Sequence, residues 1–154
     1  MTRKLTMAAI GMGALALGAC SEHHGMASNP KVCVDFRATK AAPVVPGSEG
    51  ASATDECVKR WAYSLASSRD DAGVVANAVV AACVSQLSRW NEQAVNQPGS
   101  DVQATSMTTG EPTTPLAEHN AFTNARALFY VVQARAGRCA APPMKDGAPE
   151  GIVG

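Results

Sequence analysis

Residues 57–83 read CVKRWAYSLASSRDDAGVVANAVVAAC, and this stretch decides the fold. Cys57, Trp61 and Leu65 recur every four residues before the polar run at 67–71, a spacing that places them on one face of an α-helix. Beyond that run a second apolar stripe begins, with the same helical spacing. Its members are Val75, Val79, Cys83, Leu87, Trp90 and Ala94. The pattern predicts two helices joined by a short turn.

A disulfide follows from folding these two helices into a hairpin about Asp70, because residues equally distant from the turn then face each other. Cys57 lies opposite Cys83 in that arrangement, and both sit on the apolar stripes. We therefore predict a Cys57–Cys83 disulfide, which leaves Cys33 and Cys139 to join an N-terminal arm to the end of a third helix. Four cysteines allow three connectivities, so the other two pairings remain open at this point.

The start of the first helix is indicated by small hydroxyl residues, which cap helices well. We expect the helix to begin near Ser52 or Thr54, with Asp55 and Glu56 in its first turn. Carboxylates in that position complement the positive end of the helix dipole. The two acidic residues therefore need no catalytic explanation.

The second helix has a start and a stop signal. Ser68 and Asp71 are three residues apart and resemble a capping box, with aspartate in place of the usual glutamate. The apolar stripe then continues to about Asn96, and Pro98-Gly99 ends it. The sequence thus predicts one uninterrupted helix over this range.

A third helix starts at Thr114-Pro115, where a capping hydroxyl precedes a proline at the first helical position. It ends at Gly137, just before Cys139. One face of this helix carries an apolar stripe that we predict to be buried. Its members are Phe122, Ala125, Phe129, Val132 and Ala136. The expected fold is mostly α, a small helical bundle stapled by disulfides.

The N-terminus carries the marks of an export signal. A basic start at residues 3–4 precedes an apolar run over residues 5–17, and Leu17-Gly18-Ala19-Cys20 follows. This arrangement resembles the lipobox of bacterial lipoproteins. The resemblance implies a signal peptide over residues 1–19, cleavage before Cys20, and acylation of Cys20 as a membrane anchor. The alternative is an ordinary secretory signal cleaved at the same place.

The same resemblance implies a location for the protein, and the composition of the chain predicts its domain organisation. Ser21 directly after the lipidated cysteine implies sorting to the outer membrane, on its periplasmic face. Residues 20–30 are small and polar and are predicted to be a flexible tether, residues 31–139 form the disulfide-stapled domain, and residues 140–154 form a flexible tail. An exported chain with four cysteines besides Cys20 favours disulfides, since that compartment is oxidising. Buried free thiols are the alternative.

Charge and motifs restrict the function. The 13 basic and 13 acidic residues cancel, so there is no basic face for nucleic acid and no polybasic cluster for anionic lipid. No hydrolase elbow, zinc-protease helix or phosphate-binding glycine loop occurs. The adjacent His23 and His24 bind metal weakly at best, and we expect His119 to lie on a solvent-exposed polar face. The sequence therefore predicts no metal, cofactor or catalytic residue.

Two functions are compatible with these features. The first is a non-catalytic interaction module tethered to the membrane, which requires an exposed apolar patch, with Trp90 and Phe129 as the expected recognition surface. The second is a small periplasmic ligand-binding protein or enzyme with a site between the helices, which requires a polar cavity. A spacer lipoprotein without a fixed partner is a third possibility.

Overall fold

The computed structural model describes residues 28–37, 48–98, 104–106 and 109–152. The signal peptide, the predicted lipidation site Cys20 and the histidine pair at 23–24 lie outside these ranges. The helices are α1 (Glu49–Leu65), α2 (Ala72–Ala82), α3 (Val84–Val95) and α4 (Pro115–Gly137), and the short strands are β1 (Ala104–Thr105), β2 (Pro112–Thr113), β3 (Met144–Lys145) and β4 (Ala148–Pro149). The strands pair as two antiparallel hairpins, β1 with β2 and β3 with β4.

Helix α4 packs against α1, α2 and α3, and the core lies between these helices. The core consists of Cys57, Val58, Ala62, Tyr63, Val75, Ala76, Val79, Cys83, Ala127, Tyr130, Val131 and Ala134. Most of these side chains are small, which lets the helices approach closely. The prediction of a small, mostly helical bundle is confirmed.

Both predicted disulfides are present. Cys57–Cys83 joins α1 to the end of α2, with Cα atoms 5.9 Å apart, and both residues are at most 1% exposed. Cys33–Cys139 joins the N-terminal arm to the residues after α4, with Cα atoms 5.2 Å apart. Folding back about the turn at 66–71 brought the first pair together, as the stripe spacing predicted.

The second helix differs from the prediction, because it bends by 63° at Cys83 and continues as α3. The backbone N–H of Cys83 donates to the carbonyl of Val80, a tightened turn, and its Sγ is bonded to Cys57. The bend directs α3 across the start of α1, where Trp90 lies over Gly50. A Cβ at Gly50 would be 2.6 Å from Trp90 Cδ1, so only glycine permits this approach. Within the described ranges no single helix is long and apolar enough to cross a membrane. Only α2 and α3 taken together reach the length and apolar composition of a membrane span, and they are bent relative to each other.

Two helix starts also differ. Helix α1 begins at Glu49, so Asp55 lies in its second turn rather than its first. Asp71, not Ser68, caps α2, since its Oδ1 accepts the backbone N–H two residues on at 2.8 Å. The Ser68 hydroxyl donates a hydrogen bond to the Asp70 carboxylate instead, so the predicted capping box does not form.

The ends of α4 are confirmed, but its buried face is not the predicted one. Thr114 Oγ1 accepts the N–H of Ala117 at 3.3 Å, and the chain turns left-handed at Arg138, with φ 50°, after Gly137. The stripe predicted to be buried is exposed. The buried residues are Thr123, Ala127, Tyr130, Val131, Ala134 and Gly137. Small side chains on this face admit the neighbouring helices, and its polar groups have partners inside the fold.

The arm and the end of the chain cover the same region of the bundle. In the arm, the N–H of Asn29 donates to the carbonyl of Gly137 at 2.9 Å. The predicted C-terminal tail contains the β3–β4 hairpin, because Asp146 and Gly147 adopt the positive φ values, 50° and 82°, of a tight two-residue turn. Arg60 on α1 holds the end of this hairpin through a hydrogen bond to the Glu150 carbonyl.

Candidate functional site

The solvent-facing side of α4 is the candidate functional surface, and we call it the α4 face. It consists of Ala121, Phe122, Ala125, Leu128, Phe129, Val132 and Ala136, all exposed and none charged. Phe129 is 52% exposed and Val132 is 50% exposed. The stretch from 121 to 136 covers about 24 Å at 1.5 Å per residue. Helix α4 therefore carries apolar side chains on both its buried and its exposed side.

The rings of the α4 face rest on an arginine. The Arg126 guanidinium carbon lies 6.0 Å from the ring centre of Phe122, 5.4 Å from that of Phe129 and 4.5 Å from that of Tyr130. Cation–π contacts of this kind are attractive over such distances. The guanidinium of Arg126, 36% exposed, thus contacts the rings of Phe122 and Phe129, which remain partly open to solvent.

Arg126 is in turn fixed by Asp55 on α1. Its Nε donates to Asp55 Oδ1 at 2.6 Å, and the Tyr130 hydroxyl donates to Asp55 Oδ2 at 2.9 Å. Arg126 also hydrogen-bonds Tyr130 directly. The hydrogen bond to Asp55 raises the pKa of Arg126, and burial together with the Asp55 carboxylate raises the pKa of Tyr130. Tyr130 therefore stays protonated at neutral pH, and the cluster is a structural support rather than an acid–base pair.

Sequence reasoning missed this cluster, since it assigned Asp55 to the start of a helix. The residues on α4 do carry a signal, because Arg126 and Tyr130 are four apart and so share one side of the helix. Their partner Asp55 lies 71 residues from Arg126 and 75 from Tyr130 in sequence, and no local pattern identifies it.

Trp90, the other predicted recognition residue, is partly buried. Its ring stacks on His119, with centres 3.6 Å apart, and its edge meets Phe122 with centres 5.5 Å apart. His119 Nδ1 lies 2.8 Å from Asn91 Oδ1, and burial lowers the pKa of His119. Trp90 therefore supports one end of the α4 face from the side of α3. The expectation that His119 lies on a solvent-exposed polar face is wrong, because its ring is covered by Trp90.

A depression of about 590 Å³ opens beside the α4 face. One side is formed by α4, at Ala121, Phe122 and Ala125, and the other by the β1–β2 hairpin, at Pro112 and Thr113. The lining is mostly apolar. The depression thus lies between the α4 face and the β1–β2 hairpin, and Ala125 is the last α4 residue that lines it.

Across the described ranges, no three histidine, cysteine or acidic side chains come together in a way that could hold a metal ion. Asp70 and Asp71 are occupied by the turn and the α2 cap. The surface depressions, of about 360–590 Å³, are open to solvent.

Comparison with known protein families, with characterised proteins and with solved structures finds no match for this chain.

Proposed function

We propose that this chain is a lipid-anchored protein of the bacterial cell envelope, acylated at Cys20 on the periplasmic face of the outer membrane, whose domain is a non-catalytic interaction module. The lipobox-like stretch at 17–20 supports the anchor. The two disulfides suit an oxidising compartment outside the cytoplasm.

The α4 face is the observation that carries this proposal. A single exposed apolar side chain needs no explanation, but a contiguous apolar strip without charge marks a contact surface in soluble proteins. Here Phe122, Phe129 and Val132 lie along one helix with open outer surfaces. The Asp55–Arg126 pair holds two of their rings in place, so the surface is preorganised for a partner.

The path of the chain keeps this surface close to the predicted anchor. Asn29 is hydrogen-bonded to Gly137 at the end of α4, and the Cys33–Cys139 disulfide fixes the arm there covalently. Nine residues separate Cys20 from Asn29, and a fully extended chain covers about 3.6 Å per residue, so the two residues are at most roughly 32 Å apart. The α4 face would therefore meet partners at or near the membrane.

The alternative of a ligand-binding protein or enzyme requires a site between the helices. That space is filled by side chains, with Val58, Val79 and Val131 each 0% exposed. At the edge of this space, the Tyr130 hydroxyl donates a hydrogen bond to the Asp55 carboxylate. These observations favour the interaction module.

Affinity capture from mildly solubilised membranes tests the proposal. We expect the parent chain to retain a stoichiometric protein partner and the Val132→Glu variant to lose it. Val84→Glu is the matched control, because Val84 is a 59% exposed valine on another helix. Capture that is empty for the parent, or equal for the two valine variants, would contradict the proposal.

The anchor is tested separately by detergent-phase partitioning. We expect the parent chain to enter the detergent phase and Cys20→Ser to remain in the aqueous phase, because acyl chains contribute about 0.8 kcal/mol per buried methylene. Equal partitioning of the two chains would contradict acylation of Cys20.

A further inference from the structure

We infer that the Cys33–Cys139 disulfide is a site of thiol–disulfide exchange with a dithiol protein of the Cys-x-x-Cys class, and that its reduction releases the N-terminal arm, residues 28–37, from the bundle. The two disulfides of the chain differ in access. Cys57 and Cys83 are at most 1% exposed, whereas Cys33 and Cys139 are both partly exposed. A thiolate can reach only an accessible disulfide, and exposed disulfides are typically the labile or regulatory ones.

The surface beside Cys33 leaves room for an attacking group. Cys33 lines an open depression of about 510 Å³ together with Pro30 and Ala140. Asp35 and Arg37 line the same depression, and their opposite charges offset each other. The depression therefore gives a partner an approach to Cys33 that carries little net charge.

Cys139 has a different environment, which suits the sulfur that leaves. It lines a second depression together with Arg135 and Arg138, and no acidic residue of the described part of the chain lines that depression. Positive charge nearby stabilises a thiolate, and a more stable thiolate leaves faster. The partner's thiolate is therefore expected to attack Cys33 Sγ, and the bond to Cys139 Sγ breaks.

The exchange proceeds in two steps. The first step forms a mixed disulfide between the partner and Cys33 and expels the Cys139 thiolate, which takes up a proton. In the second step, the partner's other thiolate attacks the partner's own sulfur in the mixed disulfide, and Cys33 leaves and is protonated. The partner dithiol is thereby oxidised to a disulfide, and this chain gains two electrons and two protons as two thiols.

The arm depends on this disulfide for its position, because it forms turns and contains no helix or strand. Its noncovalent contacts include the hydrogen bond from Asn29 to the end of α4. Gln133 Nε2 donates to the Val32 carbonyl at 2.8 Å, and the Phe36 ring meets the Tyr63 ring edge-on, with centres 5.1 Å apart. Segments held by few contacts open first, so the arm is the part that reduction frees.

Release of the arm would lengthen the tether to the membrane, a consequence that rests on the proposed function, whereas the exchange itself does not. With the disulfide intact, the bundle is attached within roughly 32 Å of Cys20. Without the arm contacts, the first helix begins at Glu49, 29 residues after Cys20, and at about 3.6 Å per residue the chain covers at most roughly 104 Å. The redox state of one disulfide would thus set how far the α4 face reaches.

Titration of the native chain with dithiothreitol tests the exchange. The sample is the mature chain carrying Cys20→Ser, so the result is independent of the anchor. Free thiols are alkylated and assigned by peptide mass mapping. We expect Cys33 and Cys139 to be alkylated at least about tenfold faster than Cys57 and Cys83, because only the first pair is accessible. Equal rates, or faster reduction of the second pair, overturn the inference.

Hydrogen exchange tests the release of the arm. In the selectively reduced chain, the amides of Asn29 and Val34 should lose protection while those of α4 retain it, which also verifies that the bundle stays folded. The double variant Cys33→Ser/Cys139→Ser cannot form the bond and should exchange like the reduced parent. An arm that stays protected in both samples overturns the release.

The direction of attack is tested with thioredoxin that carries serine in place of its second active-site cysteine, because its mixed disulfide cannot be resolved. We expect the mixed disulfide at Cys33. Absence of a mixed disulfide overturns the exchange, and a mixed disulfide at Cys139 overturns the assigned direction. None of these outcomes affects the proposed function, which affinity capture and detergent-phase partitioning test separately.

Discussion

Asp55 and Arg126 join α1 to α4 through a 2.6 Å ion pair, and the guanidinium of Arg126 is in cation–π contact with the rings of Phe122 and Phe129. One interaction therefore links the helix interface to the exposed surface. The Asp55 side chain is only 22% exposed, so its charge is partly shielded from water. The position of the two rings depends on that charge.

Asp55→Asn should destabilise the fold, because Arg126 would lose its counter-charge and Tyr130 its carboxylate acceptor. Hydrogen bonds to charged groups contribute roughly 1.5–3 kcal/mol, and we expect a loss of about that size in urea unfolding. Glu56→Gln is the control, since Glu56 pairs with Lys59 and Arg60 at the surface, where ion pairs contribute little. Equal losses for the two variants would contradict the structural role of the Asp55–Arg126 pair.

Removing the buried disulfide should lower the melting temperature clearly. Replacing Cys57 and Cys83 by alanine removes a cross-link between residues 26 apart, and such cross-links contribute about 2–4 kcal/mol. Differential scanning calorimetry gives the change. An unchanged melting temperature, in the variant or in the parent treated with reductant, would contradict the stapled fold.

Two buried threonines should respond in opposite ways to valine. Thr54 is 0% exposed, and its hydroxyl has no hydrogen-bond partner among the residues that the structure describes, so Thr54→Val should leave stability unchanged or raise it. The hydroxyl of Thr123, equally buried, donates to the carbonyl of His119 at 2.6 Å. Thr123→Val should therefore cost about 0.5–1.5 kcal/mol in chemical unfolding. A larger loss of stability for Thr54→Val than for Thr123→Val would contradict this assignment of the two hydroxyl groups.

His119 should titrate below its usual pKa of 6.5, because burial under Trp90 disfavours the charged ring. A lowered pKa means that the unfolded chain binds the proton more readily. The contribution of His119 to stability is therefore present above pH 6.5 and is lost as pH falls through the pKa of the folded state. NMR titration measures the value, and His119→Gln assigns the signal. A pKa at or above 6.5 would contradict the stack.

Local patterns predicted those parts of the fold that depend on neighbouring residues. Thr114-Pro115 marks a helix start by its own chemistry, and the turn near Asp70 sets the distance that brings Cys57 to Cys83. The bend at Cys83 escaped prediction, because no glycine or proline marks it and the packing of α3 on α1 that accompanies it joins residues distant in sequence. Apolar spacing alone did not show that Ala127, rather than Phe129, enters the core.

The candidate site was harder to predict than the fold. Phe129 was expected as a recognition residue, and its exposure is consistent with that role, which stays a prediction. Arg126 and Asp55 meet only when the bundle has formed, since they are 71 residues apart in sequence. Long-range pairs of this kind leave no periodic signal in a single chain.

Site-specific photo-crosslinking in intact cells is the most direct test of whether the α4 face contacts a protein partner in the envelope. A benzophenone amino acid is placed at Phe129 in one chain and at Val84, exposed on α3, in another. We expect a discrete protein adduct from position 129 and none from position 84. No adduct at position 129, or the same adducts at both positions, would contradict the account.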